Sequence, residues 1–413
     1  MLGAPVSREA AHGRVLIPAL AISRLGNEFY YLATPLLVYD LSQSSTAMGI
    51  QYAAEYLPLT VLPLIGVVAD RISRMKLLLT SDIVRIIMLL VTPLLLKQLG
   101  AGPGSLILMS LLGLLLTFWS QVFEVGLEAS LPGVVGRENL GKVYSQLSAF
   151  GSGARLIGPA LAGWLVSLIG PPNVLLLNAL TYGATLVAVA HLWRAGVFRH
   201  PVSDASGTST GFSLRQAAAD AKEALEFIFV HPVLRSLSLV YFILMVGVQF
   251  GMTLLIFYYR DVIGLAAESV GLLMTVSGSA QLALASLGSW LQKVVGKGRL
   301  VIAGIACAGL GWIITGLIPA WWGLVVGCVL LSAPQAPVSA TVNTMQQQAT
   351  REELLGRVSA TTRWLAWASL PIAALTAGAI AEAVGAQAML IISGGVILVA
   401  ALIGSLSPLL RVP

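Results

Sequence analysis

Apolar residues gather into twelve long runs separated by short polar stretches. They lie near 15–39, 47–69, 77–96, 104–127, 143–169, 173–193, 236–259, 267–292, 299–318, 320–345, 358–384 and 387–410. A helix needs about 20 residues to cross a hydrocarbon core ~30 Å thick, and each run approaches or exceeds that length. The runs lack the two-residue alternation of a barrel strand. Lipid offers no partner for a free backbone amide or carbonyl, so each run must close its hydrogen bonds internally as a helix. The pattern predicts an all-α integral membrane protein of twelve transmembrane helices.

Composition agrees and adds little. Apolar residues make up 57% of the 413 and charged ones 10%, where a soluble domain is about one-quarter charged. Charge placement adds more. With the N-terminus inside, Arg71, Arg74, Lys76, Arg137, Lys142, Arg194, Lys293, Lys297, Arg351 and Arg357 all fall in inner loops, against only Lys97 and Arg260 outside. The positive-inside rule then places both termini in the cytoplasm. The net charge of +6 is a topology signal and needs no nucleic acid. No cleavable signal peptide is evident before the first run. Cys307 and Cys328 lie in adjacent runs and read as buried free thiols. The histidines are scattered, so neither a metal site nor a cofactor is expected.

The chain echoes itself at half-length. Arg137-Glu-Asn-Leu-Gly-Lys142-Val-Tyr-Ser matches Arg351-Glu-Glu-Leu-Leu-Gly-Arg357-Val-Ser, and the loop at Gly66–Lys76 has a degraded copy at Gly288–Arg299. Internal repeats of this kind build many transporters, with the substrate site between the repeats. The expected organisation is an N-terminal six-helix half (1–194), a cytoplasmic linker (195–233) and a C-terminal six-helix half (234–413), the halves being pseudo-symmetric. Within the linker, 200–211 reads as flexible. From Ser213, a plausible N-cap, Leu214, Ala217, Ala218, Ala221, Leu225 and Ile228 follow helical spacing. That amphipathic helix either lies on the membrane, braces the halves or tethers them passively.

Charge at membrane depth is costly and marks function by default. Arg24 and Glu28 share a face of the first span, and Glu55 in the second reaches a comparable height. With Tyr31 and Tyr52 nearby, these side chains are candidates to line one cavity. Either carboxyl, desolvated there, is a candidate proton carrier; alternatively, Arg24 and Glu28 neutralise each other and hold helices together. Arg155, inside the fifth span without a local carboxylate, is expected to pair across the cavity or to meet an anionic substrate group. A second set sits toward the inner helix ends: Asp82 and Arg85 in the third span, and Glu124 and Glu128 closing the fourth.

Gly66-Val-Val-Ala-Asp70-Arg71-Ile-Ser73-Arg74-Met75-Lys76 resembles the signature G-x-L-A-D-R-x-G-R-[RK] between the second and third helices of the major facilitator superfamily, with Val68 for Leu, Ser73 for the second Gly and Met75 inserted. The resemblance implies that Asp70 and Arg74 latch the inner side by charge contacts, with Glu124 or Glu128 expected opposite Arg74. Lys76 reads as topology signalling. The fifth span, Ser145 to Gly163, resembles the superfamily's antiporter signature through Gly158, Pro159 and Gly163, with Ser145, Ala154 and Ala162 in place of glycines. Small residues allow close helix contact, and Gly-Pro bends a helix.

Leu32–Ser42, Ala154–Gly163 and Leu355–Ser359 look like the bacterial macrolide-efflux branch, whose members also export the siderophore enterobactin. The interior is otherwise apolar and aromatic. Asn178, Gln249, Gln281 and Asn343 are sparse polar points, and Trp312, Trp364 and Trp367 are candidate cavity rings. Trp321 and Trp322 suit the outer interface. Such a cavity favours bulky amphipathic molecules over sugars or phosphates. The resemblance implies a monomeric, proton-coupled exporter of macrolide- or drug-like molecules in the bacterial cytoplasmic membrane, working by alternating access. The alternatives are export of a siderophore or lipid-like metabolite, and a non-transporting membrane sensor. An enzyme is not expected, because the chain holds no H-E-x-x-H, G-x-S-x-G or phosphate-cradling loop.

Overall fold

The computed structural model describes residues 8–61, 72–197 and 214–412, and the described residues are helical with no strand. The loop residues Gly66, Asp70 and Arg71, the flexible stretch 200–211 and the N-cap position Ser213 lie outside them. The helices are α1 (Arg8–Ser42), α2 (Ser45–Thr60), α3 (Arg74–Leu99), α4 (Pro103–Val135), α5 (Leu140–Ile169), α6 (Pro171–Arg194), α7 (Leu214–Val230) and α8 (Pro232–Phe257). They continue as α9 (Ala267–Ala285), α10 (Gly288–Val295), α11 (Lys297–Leu317), α12 (Trp321–Ser332), α13 (Gln335–Ala349), α14 (Leu355–Ala368), α15 (Leu370–Val384) and α16 (Ala386–Ser405). Among the described residues, nine spans are long and apolar enough to cross a membrane, or ten if α9 and α10, bent by 60°, form one. Two more predicted spans correspond to α1, which is 35 residues long, and to α2, described as far as Thr60.

The chain folds into two compact units. The first holds α1 and α3 to α6. Here α1 packs along α6, α5 and α4, and α3 lies against α4 and α6. Its core joins Leu16 and Leu20 of α1 to Leu78, Phe123, Leu127, Leu147, Val189 and Leu192 of the other four helices. The second unit holds α2 and the helices from α7 onward. In it α16 runs between α11 and α8, and α15 between α2 and α8. Trp312, fully buried, lies on α11 against Gly251 of α8, where any Cβ would meet the indole at 2.6 Å. Close packing in the second unit's core thus occupies one ring predicted to line a cavity.

The repeat seen in sequence has the same local structure twice. Arg137–Asn139 and Glu352–Leu354 each form a short 3-10 turn that runs directly into a long helix. The turn before the last helix of each set also repeats, through Gly170 (φ 79°) and Gly385 (φ 86°), a backbone region that favours glycine. Ser73, which stands where the family signature has glycine, caps α3 by accepting a hydrogen bond from the Lys76 amide at 3.3 Å.

The predicted amphipathic helix is α7. Ala224 and Ile228 are buried against Leu234, Leu354 and Val358, with Phe227 packed beside them. Glu223 pairs with Arg357, and Arg351 lies 6.0 Å from the Phe227 ring. Exposed ion pairs add only about 0–1 kcal/mol, so the apolar face carries most of this docking.

Candidate functional site

In the first unit, charged groups from several helices form a string of alternating sign. Arg24 on α1 donates to the carbonyl oxygen of Leu147 on α5. Gly151 makes room for it, since a Cβ there would stand 2.9 Å from Arg24 Nη1 and 3.8 Å from Arg155 Nη1. One helical turn on from Arg24, Glu28 lies against Gly158, where a Cβ would stand 2.5 Å from that of Glu28. The opposite charge acting on Glu28 is Arg155, across the α1–α5 contact. Arg24 is therefore turned to the α5 backbone, and the positive charge that acts on Glu28 is that of Arg155. Arg155 also contacts Ser152 Oγ at 3.4 Å.

The string continues through α4. Glu124 feels the positive charges of Arg24 and Arg85, with Glu128 as a like charge. Arg85 forms a buried ion pair with Asp82 one turn earlier on α3, the two side chains being 3% and 0% exposed. The guanidinium of Arg85 sits between two aromatic faces, 4.4 Å from the Phe123 centroid and 4.1 Å from that of Tyr182. Tyr182 in turn donates to Asn27 Oδ1 at 2.7 Å, which ties α6 to α1. The sequence places Asp82 and Arg85 toward inner helix ends. The structure puts them deeper: about 16 Å of helix separates Arg74 from Arg85 at ~1.5 Å per residue, and the pair is enclosed by the bundle. Phe123, Tyr182 and Asn27 carry no sequence signal of their own, because they meet only after three helices pack.

Arg74 opens α3 and donates to the carbonyl of Ala129 at 2.7 Å, not to Glu124 or Glu128. The carbonyl belongs to the inner end of α4, so Arg74 still bridges the two helices. Gly158, Pro159 and Gly163 are all buried within α5, which runs unbroken from Leu140 to Ile169. Tyr31 is 59% exposed and stands edge-on to Tyr30 at 5.9 Å.

The second unit carries the other predicted carboxyl. Glu55 on α2 accepts from Gln51 Nε2 at 2.9 Å, and the stacked rings of Tyr52 and Tyr56 lie 6.4 Å apart on the same helix. Thr46 at the start of α2 hydrogen-bonds to Glu382 of α15, and Ser45 to the Gly378 carbonyl at 3.1 Å. Trp364 donates to Thr60 O at 2.9 Å, while Trp367 stacks with Arg363. Asn178 and Gln249 are buried. Cys307 and Cys328 are free thiols; Cys328 is buried, whereas Cys307, expected to be buried, is only half-buried. No group of three metal-ligating side chains occurs among the described residues.

The family model described as Major Facilitator Superfamily matches residues 16–361 and 237–413. The chain belongs to that superfamily. It is a multi-pass membrane transporter and not an enzyme, as the sequence motifs implied. Among curated relatives, "Multidrug efflux pump Tap" of Mycolicibacterium fortuitum is 24% identical over 379 residues, covering 88% of this chain and 87% of the relative. The protein of the same name in Mycobacterium tuberculosis (strain ATCC 25618 / H37Rv) is 22% identical over 384 residues, 91% of this chain and 88% of its own. The fold is shared with solved major facilitator structures. A bacterial homologue of the iron transporter ferroportin superposes with a TM-score of 0.73 at 17% identity, covering 95% of this chain and 98% of that one. The nucleoside transporter NupG gives 0.70 at 14% identity, covering 95% and 98%.

Proposed function

We propose that the chain is a secondary active exporter of amphipathic small molecules, exchanging them for protons across the bacterial cytoplasmic membrane by alternating access. The observation that carries the reading is Glu28, packed against Gly158 where α1 meets α5 and acted on by the positive charge of Arg155. A carboxyl in a span is rare and costly. One facing a cation on a neighbouring helix has two stable states, ionised against Arg155 or protonated and released from it. In this reading Glu28 carries the proton, and Arg155 is the counter-charge that its protonation frees. Glu55 is the second candidate carrier, positioned by Gln51 and flanked by Tyr52. The full-length likeness to proteins named multidrug efflux pumps supports export of drug-like molecules, and the apolar interior with few polar points supports an amphipathic substrate.

The remaining assignments follow the same frame. Asp70 and Arg74 latch the inner side with Arg71, Gly158, Pro159 and Gly163 give α5 its close packing, and the working unit is a monomer.

The test is substrate-driven proton flux in liposomes holding a pH dye, challenged with macrolides, other drugs and siderophores. Glu28→Gln is expected to reduce the flux at least ~10-fold, since a step that needs a titrating group loses it outright. Flux that survives both Glu28→Gln and Glu55→Gln would remove proton exchange. Flux driven only by siderophores would select that substrate class instead. Binding with no flux at all would make the chain a sensor.

A further inference from the structure

The second unit holds a half-open cavity of about 560 Å³ that the exporter reading has not used. It opens among α8, α9, α11, α12 and α13, and its volume falls in the ~300–1,000 Å³ range of small-molecule sites. Tyr241, Met245 and Met252 come from α8, Gln281 from α9, and Gln335 and Asn343 from α13. Three amide side chains therefore converge on one space. Two of them, Gln281 and Asn343, stand out in the sequence only as isolated polar points.

The amides are arranged to receive a ligand. Gln281 Nε2 donates to Gln335 Oε1 at 2.5 Å, bridging α9 and α13 across the rim. That bond leaves the Gln281 carbonyl as an acceptor and the Gln335 amide as a donor. Asn343 lines the same space and brings a further donor and acceptor. The two methionines supply a pliant apolar surface that repacks around differing shapes.

Among the described residues, no Asp, Glu, Lys, Arg or His contributes to the wall. An organic cation entering this space would lose hydration and find no carboxylate to replace it. A neutral molecule with carbonyl and hydroxyl groups would find matched amides and soft apolar walls.

We infer that this cavity is a binding site for uncharged, oxygen-rich amphipathic molecules, and that the Gln281–Gln335 bridge with Asn343 selects them over organic cations. The inference rests on the exporter reading only for what happens after binding.

The experiment uses the full-length protein in detergent and measures equilibrium binding of two radiolabelled probes of drug size, neutral chloramphenicol and cationic tetraphenylphosphonium. Wild type is expected to bind chloramphenicol at least ~10-fold more tightly, because an unpaired charge in such a site costs well over 1.4 kcal/mol. Asn343→Leu and Gln335→Leu are each expected to weaken chloramphenicol about fivefold or more, the loss of one ligand hydrogen bond. Ser339→Asp, which adds a carboxylate to the cavity wall, is expected to raise tetraphenylphosphonium affinity; a misfolded variant cannot produce such a gain. Absence of chloramphenicol binding, equal affinity for both probes, or unchanged chloramphenicol affinity in both leucine variants would overturn the site. Failure of the exporter reading shows separately, as absent proton flux in liposomes while wild-type binding is intact.

Discussion

Arg85 is held from several sides at once within the first unit. Its guanidinium pairs with Asp82, lies between the faces of Phe123 and Tyr182, and reaches the field of Glu124. A desolvated cation–π contact contributes about 2 kcal/mol, and here there are two. Removing one partner of a buried pair costs about 3–5 kcal/mol, because the remaining charge is stranded. Arg85→Ala is therefore expected to lower the thermal midpoint in detergent sharply, since the fully buried Asp82 would lose its ion-pair partner. Arg85→Lys keeps the charge but loses the planar group that fills the slot between rings, and should fall between. A midpoint unchanged in Arg85→Ala would mean that the pair does not hold the bundle together. Asp82 and Arg85 are legible in the sequence as charges at i and i+3. Their enclosure is not, because the rings come from residues 38 and 97 positions further along than Arg85 and follow no local period.

Between elements, glycine sets how closely helices approach. The sequence draws attention to the small residues of α5, and Gly158 does admit Glu28 against that helix. A tight crossing in the second unit carries no such mark. Gly49 of α2 faces Gly378 of α15, and a Cβ on Gly378 would meet the Ser45 carbonyl at 2.7 Å and the Gly49 Cα at 3.0 Å. Those are backbone atoms, so no side-chain rotation relieves the clash. In lipid, helices associate through such close approach rather than through the hydrophobic effect. Gly378→Val is expected to cost about 1–3 kcal/mol of overpacking and to lower the yield of folded protein, read as a monodisperse peak in detergent. Gly395→Val on α16 is the control, because a Cβ there meets nothing within 4 Å. Equal behaviour of the two variants would mean that the α2–α15 crossing tolerates separation. Glycine content alone does not distinguish these positions; the partner backbone does.

At the scale of the whole chain, the hydropathy pattern is the most legible feature, since lipid constrains it directly. The nine or ten apolar spans, with α1 and the described part of α2, fall where the apolar runs predict. The repeated 3-10 turns at Arg137–Asn139 and Glu352–Leu354 give the sequence echo a structural meaning. The grouping of α2 with the second unit is not legible, because it depends on α15, whose Gly378 lies 333 residues beyond Ser45. The proposed topology follows from two independent constraints. Twelve crossings, the even number that the apolar runs predict, would return the chain to the side on which it began. The cationic residues at the start of α3, α5 and α11 would then place that side in the cytoplasm. A fluorescent protein fused after Arg411 is thus expected to mature and fluoresce, whereas alkaline phosphatase at the same point stays inactive. Phosphatase placed after Lys97, in the last turn of α3, is expected to be active. Phosphatase activity at both the C-terminal and the Lys97 fusions would give an odd number of crossings and break the pairing of the repeats. Inactivity at Lys97 with activity beside Arg137 would instead invert the whole chain, turning the proposed exporter's inner latch to the outside.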